Sequence, residues 1–226
     1  MRESIFDTLE KSAKIFIEHP TLIVIPFFPA VVSLLSWIGI QSINKGYFTP
    51  LHSSFVAVLL HLAVIFSYLL SLSILSIYVY EYYKESSFDS AFGKIYSMAL
   101  KIGLVCLLLA VVIEIGIRLF VLPGLVVIFF SLFIIPLMII ERFDMMKAVR
   151  MSIELSKRYW DIILLYAVIL AGLSVAVNII FSVLEVAGKL ISALIIYGYS
   201  AAVLLNIYLS LKATFKKDNG YEFTEV

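Results

Sequence analysis

The chain has 226 residues, of which 62% are hydrophobic and only 15% charged, against roughly 45–50% and 25% in ordinary soluble domains. A water-soluble fold of this length cannot hide that much apolar surface, so a soluble enzyme or binding domain is excluded. The net charge of +1 lends nothing to nucleic-acid binding, and the single cysteine, Cys106, permits neither an intramolecular disulfide nor a Cys-based metal cluster.

In chain order, Arg2, Glu3, Asp7 and Glu10 precede any apolar stretch. They lack the basic, apolar and small-residue order of a cleaved signal peptide, so the first hydrophobic run is expected to remain as a helix. Positions 20–44 and 46–80 hold no Asp, Glu, Lys or Arg, and each is long enough to cross a hydrocarbon core about 30 Å thick even when tilted. Lys45-Gly46 and Thr49-Pro50 separate these two runs. A third run from Ile102 carries Glu114 and Arg118, and Pro123-Gly124 then breaks the chain before an uncharged stretch to Ile140, which predicts a tight hairpin for spans three and four. Runs at 162–184 and 190–211, divided by Glu185 to Lys189, complete six spans.

Lys and Arg are retained on the cytoplasmic side of membrane proteins. Segments 1–19, 81–101, 141–160 and 212–226 carry 14 of the 17 basic residues, while the alternate connections hold only Lys45, Arg118 and Lys189. Both termini are therefore expected in the cytoplasm. Tyr78, Tyr80, Tyr82 and Tyr83 end span two and Tyr159-Trp160 begin span five, at the depth where amphipathic rings anchor a helix in the interface. A tyrosine-lined binding surface is the sharper alternative.

Phe6-Asp7, Phe88-Asp89 and Phe143-Asp144 each open a charged, helix-forming stretch that runs into span one, three or five. Asp at such positions can cap a helix start, with Glu10 completing a capping box in the first copy. Phe88, Phe92, Ile95 and Ala99 fall at helical spacing, as do Phe143, Met146, Val149 and Ile153, which suits helices lying in the membrane interface. The predicted fold is all-α: a polytopic membrane protein with six transmembrane helices as three hairpins and amphipathic interfacial helices on the cytoplasmic side. Residues 1–211 form one membrane domain of three repeat units, 1–86, 87–140 and 141–211, and residues 212–226 a short cytoplasmic tail. Units one and three align best at an offset of 140, matching Ser12 to Ser152.

Glu114 falls well inside its apolar run, where an ionisable group faces a bundle interior or a wet cavity and pairs with a partner. Arg118 lies one turn further on the same face, where a Glu then Arg pair is well placed. The two are either part of a proton or ion pathway or a structural pair whose Arg118 snorkels to the outer headgroups. Glu185 and Lys189 repeat the spacing in an outer connection. Asn178, Asn206 and the serines Ser67, Ser71, Ser73 and Ser76 are placed to hydrogen-bond across the bundle, either to hold helices together or to line a substrate path. Pro26, Pro29 and Pro136 kink their helices or free carbonyls for a substrate, and Pro20 suits a helix start. His52 and His61 are too sparse for a metal site, so no metal or other cofactor is expected.

The motifs of nucleotide-phosphate loops, zinc proteases and serine hydrolases are missing, and no enzymatic activity is expected. Ser12, Lys14, His19-Pro20 and Ile25-Pro26, with Ile135-Pro136, Glu141, Ala148, Ser152, Leu155, Lys157 and Trp160, resemble a loose superfamily of prokaryotic six-helix membrane proteins. That superfamily includes the membrane region fused to some glycerophosphodiester phosphodiesterases. The resemblance implies a prokaryotic cytoplasmic membrane and a six-helix bundle, but no activity. Two readings stand: a small transporter, channel or permease-like subunit, and a non-catalytic scaffold whose basic segments dock a cytoplasmic partner or anionic lipid. Partners under either are membrane lipids and a second copy or a cytoplasmic protein, with no nucleic acid.

Overall fold

The computed structural model describes residues 5–18, 21–44, 50–83 and 88–219. Pro20, Lys45, Gly46 and Thr49, and the side chains of His52, Tyr82, Tyr83, Phe88, Asp89, Phe92 and Glu185, lie outside the described residues. The described chain forms helices α1 Ile5–Glu18, α2 Thr21–Asn44, α3 Pro50–Tyr83, α4 Phe88–Leu119, α5 Val121–Ser131, α6 Ile134–Ile140, α7 Met145–Arg158, α8 Trp160–Phe181 and α9 Glu185–Asn219. Six segments are long and apolar enough to cross a membrane: Val24–Ile43, Ser54–Tyr80, Ile95–Leu119, Val121–Ile140, Trp160–Leu184 and Val186–Phe215.

Helix α3 is the hub, packing against α2, α4, α6 and α9. Its buried face combines Leu72, Leu75, Ile77 and Val79 with Ser67, Ser71, Ser73 and Ser76, and small side chains let membrane helices approach closely. The expectation that these serines all bond across the bundle holds for only two of them. Ser71 donates to the Ile25 carbonyl of α2 at 3.2 Å, and Ser73 meets Cys106 of α4 at 3.4 Å. Ser67 and Ser76 return to their own helix, at Val64 and Leu72. The Ser71 bond has a clear cause: Ile25 is four residues before Pro29, which has no N–H to give its carbonyl.

Helix α4 meets α5 through two glycines. A Cβ on Gly116 would lie 3.0 Å from the Gly124 Cα, and one on Gly124 would lie 2.6 Å from Ile117 Cγ1. Only Phe120 interrupts the helices, so the turn comes before Pro123-Gly124. Pro123 sits in the first turn of α5, where its missing N–H would be unpaired anyway, and Gly124 serves close approach.

The fourth span is broken between α5 and α6, four residues before Pro136. In an unbroken helix Phe133 N–H would bond the Phe129 carbonyl. Here α7 supplies both partners. Ser152 Oγ accepts from Phe133 N at 3.2 Å and donates to the Phe130 carbonyl at 2.6 Å, while Ser156 Oγ donates to the Phe129 carbonyl at 3.1 Å. The buried face of α7 is accordingly Ala148, Met151, Ser152, Leu155 and Ser156. Helix α7 also has Phe143 buried just ahead of it and Val149 packed against the core, while Ile153 is half-buried and Met146 exposed. Its docking site lies inside the fourth span, because the hydroxyls seek the broken backbone there.

Helix α1 docks on α9 by related means. Ser12, fully buried, donates to Thr8 O and accepts from Asn206 Nδ2 at 2.8 Å, and Tyr199 Oη donates to the Leu9 carbonyl. The two serines matched at an offset of 140 thus each anchor a short helix, α1 to α9 and α7 to the break between α5 and α6. The second amphipathic stretch is not separate, since residues 88–119 form one continuous helix. Capping departs from expectation as well. Asp7 lies within the first turn of α1, and Asp144, at the start of α7, makes no side-chain cap bond.

Helix α8 packs against α9 and α7 and leaves Leu164, Val168, Val175, Ile179 and Ile180 exposed. Helix α9 continues past Leu211 to Asn219, with Phe215 buried, so the chain stays helical into the segment expected to be a polar tail. Ser152→Val should destabilise the protein by about 1–3 kcal/mol, the cost of stranding a buried backbone group. Glu154→Ala on the exposed face should stay within about 0.5 kcal/mol. Unfolding in mixed micelles with increasing dodecyl sulfate measures both.

Candidate functional site

Polar groups gather at the two ends of the bundle, with an apolar cavity between them. At the end carrying α7, Glu141 closes α6 and its side chain is fully buried. The next residue, Arg142, has φ 55° and is exposed. A left-handed non-glycine residue costs about 1–2 kcal/mol, and here it turns the chain so that Glu141 faces inward while Arg142 faces out. Glu141 Oε1 receives Lys212 Nζ of α9 at 2.5 Å and the Tyr208 hydroxyl at 2.9 Å. Above this contact the Phe133 and Tyr208 rings lie 6.1 Å apart, both buried. The cluster therefore ties the α6 corner to α9 and seals the bundle at this end.

At the opposite end, Glu114 is buried, and its Oε1 receives Arg118 Nε at 2.7 Å. His61 Nδ1 of α3 lies 3.9 Å from the same oxygen. Arg118 is 42% exposed and His61 51%, so the charge is buried only on the carboxylate side. This is the expected i, i+4 pair, extended by a histidine from the neighbouring helix. Glu114 does not line the central cavity, although its neighbours Ile113 and Ile117 do.

That cavity, about 360 Å³, is lined by α3, α4, α5, α6 and α9 and is partly open to the surface. Its walls are apolar apart from Tyr68, Ser131, Tyr197 and Ser200. The Tyr68 hydroxyl and Ser200 Oγ are 3.1 Å apart, and the Tyr68 and Tyr197 rings pack at 5.3 Å. Helices α5 and α9 both line it without extensive packing between them.

The other expected positions fall as follows. Asn206 bonds across the bundle to Ser12, whereas Asn178 donates to the Ser174 carbonyl of its own helix and is exposed. Lys189 stands 3.2 Å over the Trp37 ring of α2. Trp160, the first residue of α8, is 58% exposed, but Tyr159 is buried beneath Arg158. Among the described residues no three His, Cys, Asp or Glu side chains group as metal ligands.

Sequence reasoning missed the Glu141–Lys212–Tyr208 cluster. Its signal was that Glu141 and Lys212 each end an uncharged run on the same predicted side. Removing one member of a buried ion pair leaves the other uncompensated, so Lys212→Met should cost about 3–5 kcal/mol. Adding Glu141→Gln to it should recover most of that loss, with Lys147→Met on the exposed face of α7 as the neutral control; the same micelle titration reads all three.

No protein-family model matches this chain, and neither does any curated protein or solved structure.

Proposed function

We propose that this integral membrane protein is a small permease-like subunit that takes an uncharged amphiphilic molecule from the bilayer into its central cavity. The observation that carries the reading is the cavity. Its volume of about 360 Å³ lies within the range of roughly 300–1,000 Å³ typical of small-molecule sites. Apolar walls suit a hydrocarbon body, and the Tyr68 and Ser200 hydroxyls suit a single polar head. The weak packing of α5 against α9 supports access from the side, and the Glu141–Lys212 pair with the Phe133–Tyr208 contact supports closure toward α7. An ion relay through Glu114 has less support, because Arg118 occupies that carboxylate and the cavity bypasses it.

In this reading the chain crosses a prokaryotic cytoplasmic membrane as three hairpins, α2 with α3, α4 with α5 and α6, and α8 with α9. Both termini are cytoplasmic, and α1 and α7 lie on that side. The basic-residue asymmetry supports the orientation, and the packing of each consecutive pair supports the hairpins. A second reading, a scaffold that recruits a cytoplasmic partner or anionic lipid, draws on the exposed Lys147, Arg150, Lys157 and Arg158 of α7.

Orientation is checked in the Cys106→Ala background with an impermeant thiol reagent on intact cells. Ser182→Cys should label from outside and Lys147→Cys only after permeabilisation; the reverse pattern inverts the topology. For the cavity, the probe is a photoreactive diazirine-bearing long-chain alcohol in proteoliposomes, with labelled peptides mapped by mass spectrometry. Label should concentrate on the α3 and α9 peptides containing Tyr68 and Ser200 and be lost in Ser200→Trp, which fills the cavity. Label spread evenly over the lipid-facing surface of α8, and unchanged by that substitution, would show that the cavity takes up no amphiphile.

A further inference from the structure

A second concavity, about 300 Å³, lies between α2, α8 and α9 at the end of the bundle away from α7. Helices α2 and α8 each pack on α9 but not extensively on one another, so they form the sides of a groove with α9 as its floor. Lys189, Trp37, Ser33, Ser174 and Asn178 line it. None of the described lining residues is acidic. Lys189 Nζ, 3.2 Å over the Trp37 ring, is held by the electron-rich indole face, an interaction that fixes the ammonium without consuming its N–H donors.

We infer that this groove binds the anionic headgroup of a phospholipid. A phosphodiester supplies the negative charge and acceptor oxygens that match a lysine ammonium, two serine hydroxyls and an asparagine amide. The gradient along the groove favours a lipid over a soluble anion. Lys189, Trp37 and Asn178 lie toward the bundle end, Ser33 and Ser174 about one turn further in, and Ala30, Leu34, Ala193 and Ile196 line the deeper part. The eight helical steps from Lys189 to Tyr197 make a groove roughly 12 Å long at 1.5 Å per residue. A headgroup at the polar end would thus lay its glycerol and upper chain along an apolar floor. The inference does not depend on the cargo of the central cavity, since the two sites share only Ile196 and Tyr197 in their walls.

The chain has two tryptophans, and Trp160→Phe leaves Trp37 as a reporter inside the groove. The protein is reconstituted in phosphatidylcholine bilayers with added lipid whose acyl chains are brominated near the headgroup, a contact quencher of tryptophan. Brominated phosphatidylglycerol should quench Trp37 at a mole fraction roughly tenfold lower than brominated phosphatidylcholine, the discrimination expected of one charge-assisted contact. Lys189→Gln should abolish that preference, Lys189→Arg should retain it, and Lys157→Gln, on the exposed face of α7 and outside the groove, should leave it unchanged. Equal quenching by the two lipids in the parent, or a preference that survives Lys189→Gln, would overturn the inference. Inorganic phosphate should leave the quenching in place; reversal by millimolar phosphate would assign the groove to a soluble anion instead.

Discussion

A backbone carbonyl or amide released inside a bilayer has no water to turn to, so it must be answered by the protein itself. Two prolines create that demand here, and serine hydroxyls meet it. Ser71 answers the Ile25 carbonyl freed by Pro29, and Ser152 and Ser156 answer the Phe129 and Phe130 carbonyls and the Phe133 N–H at the break that precedes Pro136. The positions of α3 against α2 and of α7 against the fourth span follow from these bonds. A short amphipathic helix thereby becomes a structural part of a membrane span.

The same economy governs charge. The buried carboxylates Glu114 and Glu141 lie at opposite ends of the bundle, each held by a basic residue, and the space between is apolar with a few hydroxyls. Such a layout suits a neutral, oil-soluble cargo better than an ion, which would need polar partners along its whole path. Lys189 is the contrasting case. It is exposed, and its described neighbours are an aromatic face and neutral polar groups, an arrangement open to an anion from outside the chain.

Six spans are legible in the residues because uncharged runs and basic punctuation are one-dimensional signals. The Glu114–Arg118 pair is legible for the same reason, being four residues apart on one helix. What was not legible depends on distance across the fold. Asn206 and Ser12 stand 194 positions apart, and Glu141 and Tyr208 stand 67 apart. Asn178 and Asn206 look alike as polar residues in apolar runs, yet one faces a groove and the other a neighbouring helix. The serine face of α7 was not legible, because a hydroxyl marks burial only where broken backbone is waiting in another part of the fold. Ser12 and Ser152, which match at an offset of 140, each dock a short helix through a hydroxyl.

The break in the fourth span also has a consequence in time. Residues 129–133 leave the ribosome before Ser152 and Ser156 do, and Glu141 before Tyr208 and Lys212. The fourth span must therefore wait through the synthesis of α7 for its hydroxyls, and through nearly the whole of α9 for its ion pair. Until then the backbone groups at the break have neither hydroxyl to bond. The final shape of this span is thus a late event, settled by parts of the chain made after it.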